Sequence, residues 1–549
     1  MSMPQKGAMA PAETDGPLAA ATACAETYVC EAAEAAIDDA AAPAAKGEHT
    51  YGQILKSSVL VGGSSIIGIF FRIIRTKAMA YLLGPAGFGL FGLFGSVETL
   101  TESIAEVGVN SSGVRQIAEA VGSGNTERIA QTAAVLRRTS VILGCLGALG
   151  LMILARPISK LTFGTDQHAT AIRILSLAVV FQITSSGQAA LIQGMRRIAD
   201  LAKMSVIGTV AGTLISIPIV YFFRENGVVP SLVIVGLMAL LPSWWFSRRI
   251  EIHVPSITFS QVMEEASALL KLGSVFMMGG LLLTSVAYLV RILLLRKVSL
   301  EAAGLYQSAW TMGGLYVGFI IQAMAADFYP RLTANANDNP LCNRLVNEQA
   351  RVGLLLAGPG VLGTLTFTPL VMTIFYSAKF TAATEVMRWI CVGTMLQVVT
   401  WPMGFIIVAK NLRALFFFCE IICATFYAAL AWVCISHFGL NGAGIAFFTY
   451  CAFHGLLHYP IVGRLSGFRW SAENLREGIY LIALIAVVWG GYRYLSTPAA
   501  TALGAAAVAA SGVYSMRTLV RLVPWERIPR TVRRVIRLCG FAPAGALAL

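Results

Sequence analysis

From Tyr51 onward, long apolar runs alternate with short polar connections. Each run is long enough, at about 1.5 Å per helical residue, to cross roughly 30 Å of hydrocarbon. The pattern predicts spans at 58–83, 88–110, 136–155, 172–194, 203–223 and 228–246. After a basic and polar link at 247–265 it resumes at 268–294, 304–328, 352–375, 386–408, 413–436 and 441–462, and closes with 478–495 and 499–516. Short connections, and Gly and Pro inside the spans, favour helices over a membrane barrel. The expected fold class is an all-α polytopic membrane protein.

Composition leads to the same class. The chain of 549 residues is 56% hydrophobic and only 13% charged, about half the charge of an ordinary soluble protein. So little charge cannot clothe a water-facing surface of this size, which excludes a soluble enzyme, a coiled coil or a disulfide scaffold. The formal charge of +13 comes from 41 Lys and Arg against 28 Asp and Glu. These cations sit mostly at span ends, where the positive-inside rule and lipid headgroups account for them without nucleic acid. Residues 1–50 read as a disordered cytoplasmic extension rich in Ala, Pro and acid, without the basic region and apolar core of a signal peptide. With the N-terminus inside, cytoplasmic connections and the tail carry twenty-five basic residues and the other side ten, so both termini are expected in the cytoplasm.

The chain also repeats itself. "RTKAMAYLLGPAGFG" from Arg75 echoes "RILLLRKVSLEAAGLY" from Arg291, Arg115 matches Arg331, and "GMRR" corresponds to "VAKNLR", all at an offset near 216 residues. Six spans per repeat is an even number, so the two halves share one orientation about an axis along the membrane normal. The expected domains are an N-lobe of helices 1–6 (51–250), a C-lobe of helices 7–12 (251–465), accessory helices 13–14 (466–518) and a basic cytoplasmic tail (519–549). Two pseudo-symmetric six-helix lobes around a central cleft form the architecture of an alternating-access transporter.

Ionisable groups inside spans are the strongest pointers to function, because hydrocarbon tolerates them only beside a cavity or a partner. The first span holds Arg72, Arg75 and Lys77, and the second holds Glu98, Glu102 and Glu106 at i, i+4 and i+8, a polar stripe on one helix face. Arg72 and Glu98 stand at similar heights from the Gly84–Pro85 turn. Either these charges neutralise one another and hold the hairpin, or the cations line a wet cavity for an anion while the acids set charge and coupling. Arg291, Arg296 and Lys297 supply the second lobe's counterpart, where the acid stripe is replaced by positions near Leu315, Phe319 and Ala323. Glu420 in the eleventh span is either a cavity acid or a group that tilts toward the cytoplasmic end.

Several chemistries have no motif here. There is no Walker A or Rossmann glycine pattern, and no internal link long enough for a catalytic domain. The ten cysteines lack zinc-knuckle spacing, and His454 and His458 lack the Glu of an HExxH site. The expectation is therefore neither an enzyme nor a cofactor-bearing or metal protein.

The strings "LLGPAGFGLFGLFGSVETL" and "GVNSSGVRQIAE" resemble the opening of the bacterial O-antigen and enterobacterial-common-antigen translocases, in the oligosaccharide flippase branch of the multidrug/oligosaccharidyl-lipid/polysaccharide exporter (MOP) superfamily. "AAGLYQSAWTMGGLYVGFIIQAMAADFYPRL" and "FYSAKFTAATEVMRWICVGTMLQVVTWPMGFIIVAK" resemble later parts of the same family, so that the likeness covers about 54–462. The resemblance implies twelve core helices and transport of a polyprenyl-diphosphate-linked oligosaccharide from the cytoplasmic to the outer leaflet of the bacterial inner membrane. It gives Arg72, Arg75, Lys77, Arg291 and Arg296 the diphosphate, and it points to Glu98, Glu102 and Glu106 for coupling to an ion gradient, with Glu420 kept beside them as a candidate cavity acid. The extra extension, helices and tail leave room for a polymerase or ligase partner. A drug or metabolite exporter of the same fold and a peptidoglycan-precursor flippase are the competing readings, followed by a non-transport scaffold or membrane enzyme.

Overall fold

The computed structural model describes residues 47–250 and 259–522, with Arg533 and Arg537 beyond them. Nearly all of the acidic extension, the link at 251–258 and most of the basic tail lie outside these residues. The described chain is helical throughout, because hydrocarbon offers backbone amides no partner except one another. In order the helices are α1 (Gly47–Glu106), α2 (Val109–Gly122), α3 (Thr126–Ile153), α4 (Ala155–Phe163), α5 (Ala169–Gly194), α6 (Ile198–Phe223) and α7 (Val228–Arg248). They continue as α8 (Phe259–Lys297), α9 (Leu300–Ala334), α10 (Asn339–Phe375), α11 (Thr384–Ala409), α12 (Arg413–Ser466), α13 (Ala472–Tyr494) and α14 (Thr497–Leu522). Both α1 and α12 are two membrane-length helices joined at a left-handed glycine, Gly84 (φ 67°) and Gly439 (φ 57°), a conformation that a side chain would strain. Nine stretches among the described residues are long and apolar enough to cross a membrane, and Ile67–Glu106, Ile198–Arg248 and Arg413–Ser466 each hold two helices.

The expected second span, 88–110, is cut short. The helix breaks after Glu106, where Val107 (φ 51°) and Gly108 (φ 64°) both turn left-handed. The third ends at Leu154, from which the short α4 departs. Large apolar side chains such as Ile142, Leu146, Ile153, Phe222 and Leu456 stand exposed on the outside, as a surface facing acyl chains requires. At the end of α7, the Arg248 guanidinium lies 4.3 Å from the Trp244 ring and that of Arg249 lies 3.8 Å from Trp245. Such amphipathic pairs anchor a helix at the headgroup level.

The repeat seen in sequence is repeated in the backbone. Between α5 and α6, Arg196 takes φ 54°, and between α11 and α12 Asn411 takes φ 58°. The residues after them agree as well: Arg197 has φ −82°, ψ 59° and Leu412 has φ −85°, ψ 58°. The turn hydrogen bonds also correspond, Arg197 N to Ile192 O at 3.0 Å and Leu412 N to Ile407 O at 3.1 Å. At the opposite end, Arg224 (φ 52°, ψ −128°) and Gly439 (φ 57°, ψ −132°) form a second matched pair. "GMRR" and "VAKNLR" are thus one turn written twice.

The connections alternate between two ends of the bundle. One, called here the hairpin end, carries Gly84, Arg224, Ser299, Ser377 and Gly439; the other, the basic end, carries Gly124, Arg196, Arg249, Asp338, Lys410 and Gly467. Toward the basic end each lobe has its own apolar core: Ile117, Leu136 and Leu191 in one, Val346, Ile406 and Val462 in the other. Toward the hairpin end the cores are shared, Met79 and Phe88 packing into the C-lobe and Tyr288 and Ile292 into the N-lobe. There the backbones of α1 and α9 almost touch. A Cβ on Gly304 would fall 1.8 Å from the Pro85 carbonyl oxygen, and one on Gly89 would fall 2.4 Å from that of Leu300, so glycine is obligatory at this crossing. A second close approach, between Gly108 and Gly273, ties α8 to the N-lobe toward the basic end.

Helices α13 and α14 dock on α10 rather than standing free. Glu477, 1% exposed, accepts from Arg351 Nε at 3.0 Å and Nη2 at 2.8 Å. Asn474 donates to Asn347 O at 2.9 Å, and the Tyr492 hydroxyl donates to Thr366 O at 2.6 Å. Removing one member of a buried charge pair leaves the other uncompensated, at roughly 3 kcal/mol. Glu477→Ala is therefore expected to lower the thermal unfolding midpoint in detergent clearly more than Glu473→Ala on the same helix. Equal effects would show that the ion pair does not hold α13 in place.

Candidate functional site

The first half of α1 descends beside its own second half and beside α9, and a cavity of about 320 Å³ lies between them. Both lobes build its wall. Arg72, Arg75 and Thr76 come from α1 before the Gly84 break, Phe88 and Phe91 from beyond it, Gln307 and Thr311 from α9, and Tyr376 from the end of α10. Aromatic rings close it toward the hairpin end, with Phe88 centred 5.7 Å from both Tyr376 and Phe380. The Tyr376 hydroxyl donates to the Ser308 carbonyl at 3.0 Å and fixes that plug to α9.

The two arginines are nearly free within this space. Arg72 makes one long contact, Nε to Gly68 O at 3.4 Å, and Arg75 forms no hydrogen bond or ion pair within bonding distance among the described residues. Arg291 is buried one layer behind the wall. Its Nε donates to Gln307 Oε1 at 2.7 Å, its Nη1 donates to Ala287 O at 2.8 Å, and its guanidinium lies 5.8 Å from the Tyr306 ring centre. Because the guanidinium occupies the amide oxygen of Gln307, the NH₂ end is turned toward Thr311 at 3.2 Å and the cavity. A primary amide held this way presents a donor to whatever enters. Gly92 makes the arrangement possible, since a Cβ there would meet the Gln307 Cγ at 2.8 Å. The wall is therefore cationic and donor-rich, and it suits an anion.

Not every expected site residue joins this group. Lys77 is exposed and lies outside the lining. Arg296 caps the end of α4 by donating to the carbonyls of Lys160 and Leu161, which satisfies helix-terminal acceptors. Lys297 sits 3.7 Å from the Trp432 ring centre. Along the acid stripe, Glu98 lies within electrostatic range of Arg75 without a direct ion pair, and Glu106 accepts from Ser186 Oγ at 2.6 Å. The buried Glu102 Oε1 has no hydrogen-bond partner among the described residues. The stripe thus runs from the cavity toward the basic end on the second half of α1. Glu420 is elsewhere, on α12, with Oε1 3.6 Å from His454 Nε2. The positions aligned to the stripe in α9, Leu315, Phe319 and Ala323, are outside the described side chains.

Gln307, Thr311 and Tyr376 were not anticipated. Gln307 carried a signal, being a primary amide inside an apolar span with a charged residue, Arg291, in the adjacent span of the same lobe. Thr311 and Tyr376 are ordinary in sequence and become site residues only through the meeting of α9 with the end of α10.

The geometry can be set beside known proteins. Residues 78–385 match the family model described as polysaccharide biosynthesis protein. The lipid III flippase of Escherichia coli (strain K12) is 22% identical over 411 residues, covering 73% of this chain and 97% of that one. A probable low-salt glycan biosynthesis flippase of Haloferax volcanii is 21% identical over 408 residues, covering 74% and 82%. Among solved structures, a lipid II flippase in an inward closed conformation superposes with TM-score 0.64 at 12% identity, over 85% of this chain and 100% of that one. An inward-facing multidrug resistance MATE family transporter of the MOP superfamily superposes with TM-score 0.61 at 14% identity, over 73% and 94%. At these identities the structural likeness establishes the fold. With the family model matched over more than half of its length, this chain belongs to the polysaccharide biosynthesis protein family, as an all-α multi-spanning membrane protein with the MOP-superfamily fold.

Proposed function

We propose that this protein is a flippase that moves a polyprenyl-diphosphate-linked oligosaccharide from the cytoplasmic to the outer leaflet of a bacterial inner membrane. The observation that carries the reading is the pair Arg72 and Arg75, which face the interlobe cavity without a carboxylate in direct contact. A guanidinium without a direct carboxylate partner in a membrane interior is costly and is kept where it meets a ligand or a wet path. A diphosphate fits, because arginine binds phosphate oxygens through paired N–H donors. Gln307, turned by Arg291, adds a neutral donor. Several moderate contacts hold the headgroup yet release it, while the glycan occupies the cleft and the prenyl chain stays in lipid. The family match and the flippase names of both relatives support transport rather than catalysis.

With the basic end in the cytoplasm, as the positive-inside count expects, the shared core and the α1–α9 crossing close the outer side. The lobes, each with a separate core at the inner end, would part there to admit cargo. Inversion then requires the Gly89–Gly304 contact to open. The acid stripe beside the cavity is the place for coupling to an ion gradient, with Glu102, which lacks a hydrogen-bond partner on one buried oxygen, as the coupling group. A polymerase or ligase of the same glycan pathway remains the partner proposed for the additional helices.

Translocation of labelled undecaprenyl-diphosphate oligosaccharide in proteoliposomes tests the reading. Losing one charge-assisted contact of about 1.5–3 kcal/mol should slow transport roughly 10–100-fold in Arg75→Ala. Arg291→Gln should fall less, since it acts through Gln307. Wild-type rates in folded Arg75→Ala would return the first-helix cations to a hairpin-holding role. Glu102→Gln should keep flipping down a cargo gradient and lose about tenfold of the stimulation by an imposed proton or sodium gradient, the scale of an ordinary coupling energy. Undiminished stimulation would remove Glu102 from the coupling path.

A further inference from the structure

Inside the C-lobe, away from the cavity, the two halves of α12 bring Glu420, His454 and His458 together. Each offers one donor atom, and these atoms all lie within 4.8 Å of one another. His454 and His458 are one turn apart on the same face, with rings stacked 4.0 Å apart at 26°. Both are buried, at 5% and 0% exposure, while the Glu420 side chain keeps 16%. This trio is absent from the linear pattern, because its acid precedes the histidines by more than thirty residues and crosses to them only through the Gly439 hairpin.

The hydrogen bonds show what the rings are prepared to do. His458 Nδ1 lies 2.9 Å from the His454 carbonyl oxygen, which can only accept, so Nδ1 carries the proton and Nε2 bears a bare lone pair. That Nε2 has no partner among the described residues, nor has His454 Nδ1. Gly404 on α11 keeps the adjacent space clear, since even a Cβ there would approach Nε2 to 3.9 Å. One ring nitrogen tied to a backbone carbonyl and the other left bare is how histidine is set to ligate a metal. The contact between Glu420 Oε1 and His454 Nε2, at 3.6 Å, is too long for a hydrogen bond. Glu420 also has no Lys or Arg in ion-pairing range among the described residues, so its charge inside the bundle is met only by imidazole.

We propose that Glu420, His454 and His458 form a binding site for a divalent transition-metal cation of the zinc class. Two neutral imidazoles and one carboxylate are an established three-ligand zinc set, with remaining positions open to water. A dication would offset the half-buried carboxylate and occupy the bare His458 Nε2 at once. Donors about 2.0–2.2 Å from a metal lie closer together than 4.8 Å, so binding would draw the halves of α12 inward and tie them. Glu420 is seven residues from the start of α12, about 10 Å from the basic end at 1.5 Å per residue, and its side chain keeps 16% exposure. None of the three residues belongs to the lining of the cation-lined cavity.

The test uses the full chain in detergent, freed of any affinity tag and stripped with chelator. Zn²⁺ is titrated by calorimetry, and Co²⁺ is followed by its visible absorption. The expected result is a single equivalent of Zn²⁺, a rise in thermal unfolding midpoint on binding, and a Co²⁺ spectrum of low coordination number with nitrogen and oxygen ligands. Glu420→Gln and His454→Gln, each monodisperse and helical, should lose that equivalent and the midpoint shift, whereas His437→Gln should keep both. Absence of the Co²⁺ band and of Zn²⁺ binding in folded wild type overturns the proposal. So does a Zn²⁺ equivalent that survives both substitutions, which would place the ion on another surface. A wild type without the band overturns the proposal even if a variant does not fold, and His458→Gln serves in place of a variant that fails.

Discussion

Hydrocarbon neither solvates charge nor supplies hydrogen bonds, and nearly every feature of this protein follows from that. Backbone groups must pair within helices, so the described chain is helical and its irregular backbone is confined to breaks such as Gly84, Val107–Gly108 and Gly439. Side-chain charges must be paired, placed at an interface or turned into a cavity. Arg351 with Glu477 is the first solution, Arg248 and Arg249 against tryptophan the second, and Arg72 and Arg75 the third. The same residue type thus serves as clamp, as anchor and as cavity wall, and only its surroundings distinguish the three.

The pseudo-symmetry is close in backbone and loose in chemistry. Matched turns at Arg196 and Asn411, and at Arg224 and Gly439, set the two lobes on one plan. Onto that plan the N-lobe places two cavity cations and an acid stripe, while the C-lobe places Arg291 behind Gln307 and a Glu–His–His cluster deep in α12. Matching backbones pack the two lobes against each other at a common crossing. Divergent side chains place different chemistry at different heights without disturbing that plan. The contact of Pro85 and Gly89 with Leu300 and Gly304 forms this crossing, because close helix approach is possible only while both glycines lack a side chain.

Hydropathy run length was enough to lay out the spans, since a lipid-crossing helix needs a fixed number of apolar residues whatever its neighbours do. The repeat was equally visible, because a shared turn conformation keeps its sequence signature even where Arg in one copy stands for Asn in the other. Arg72, Arg75 and the acid stripe stood out through cost alone, because a charge in an apolar run is anomalous whatever the helices around it do. Which charges meet is another matter, because it depends on helix rotation and crossing, set by packing between segments far apart in sequence. Tertiary structure therefore sent Arg296 to cap α4 and left Lys77 outside the lining. It put Gln307, Thr311 and Tyr376 on the cavity wall and carried Glu420 across a hairpin to two histidines. The sequence by itself determined the membrane, the helices and their duplication, which are properties of segments. The site, made of distances between segments, was decided only when the helices packed.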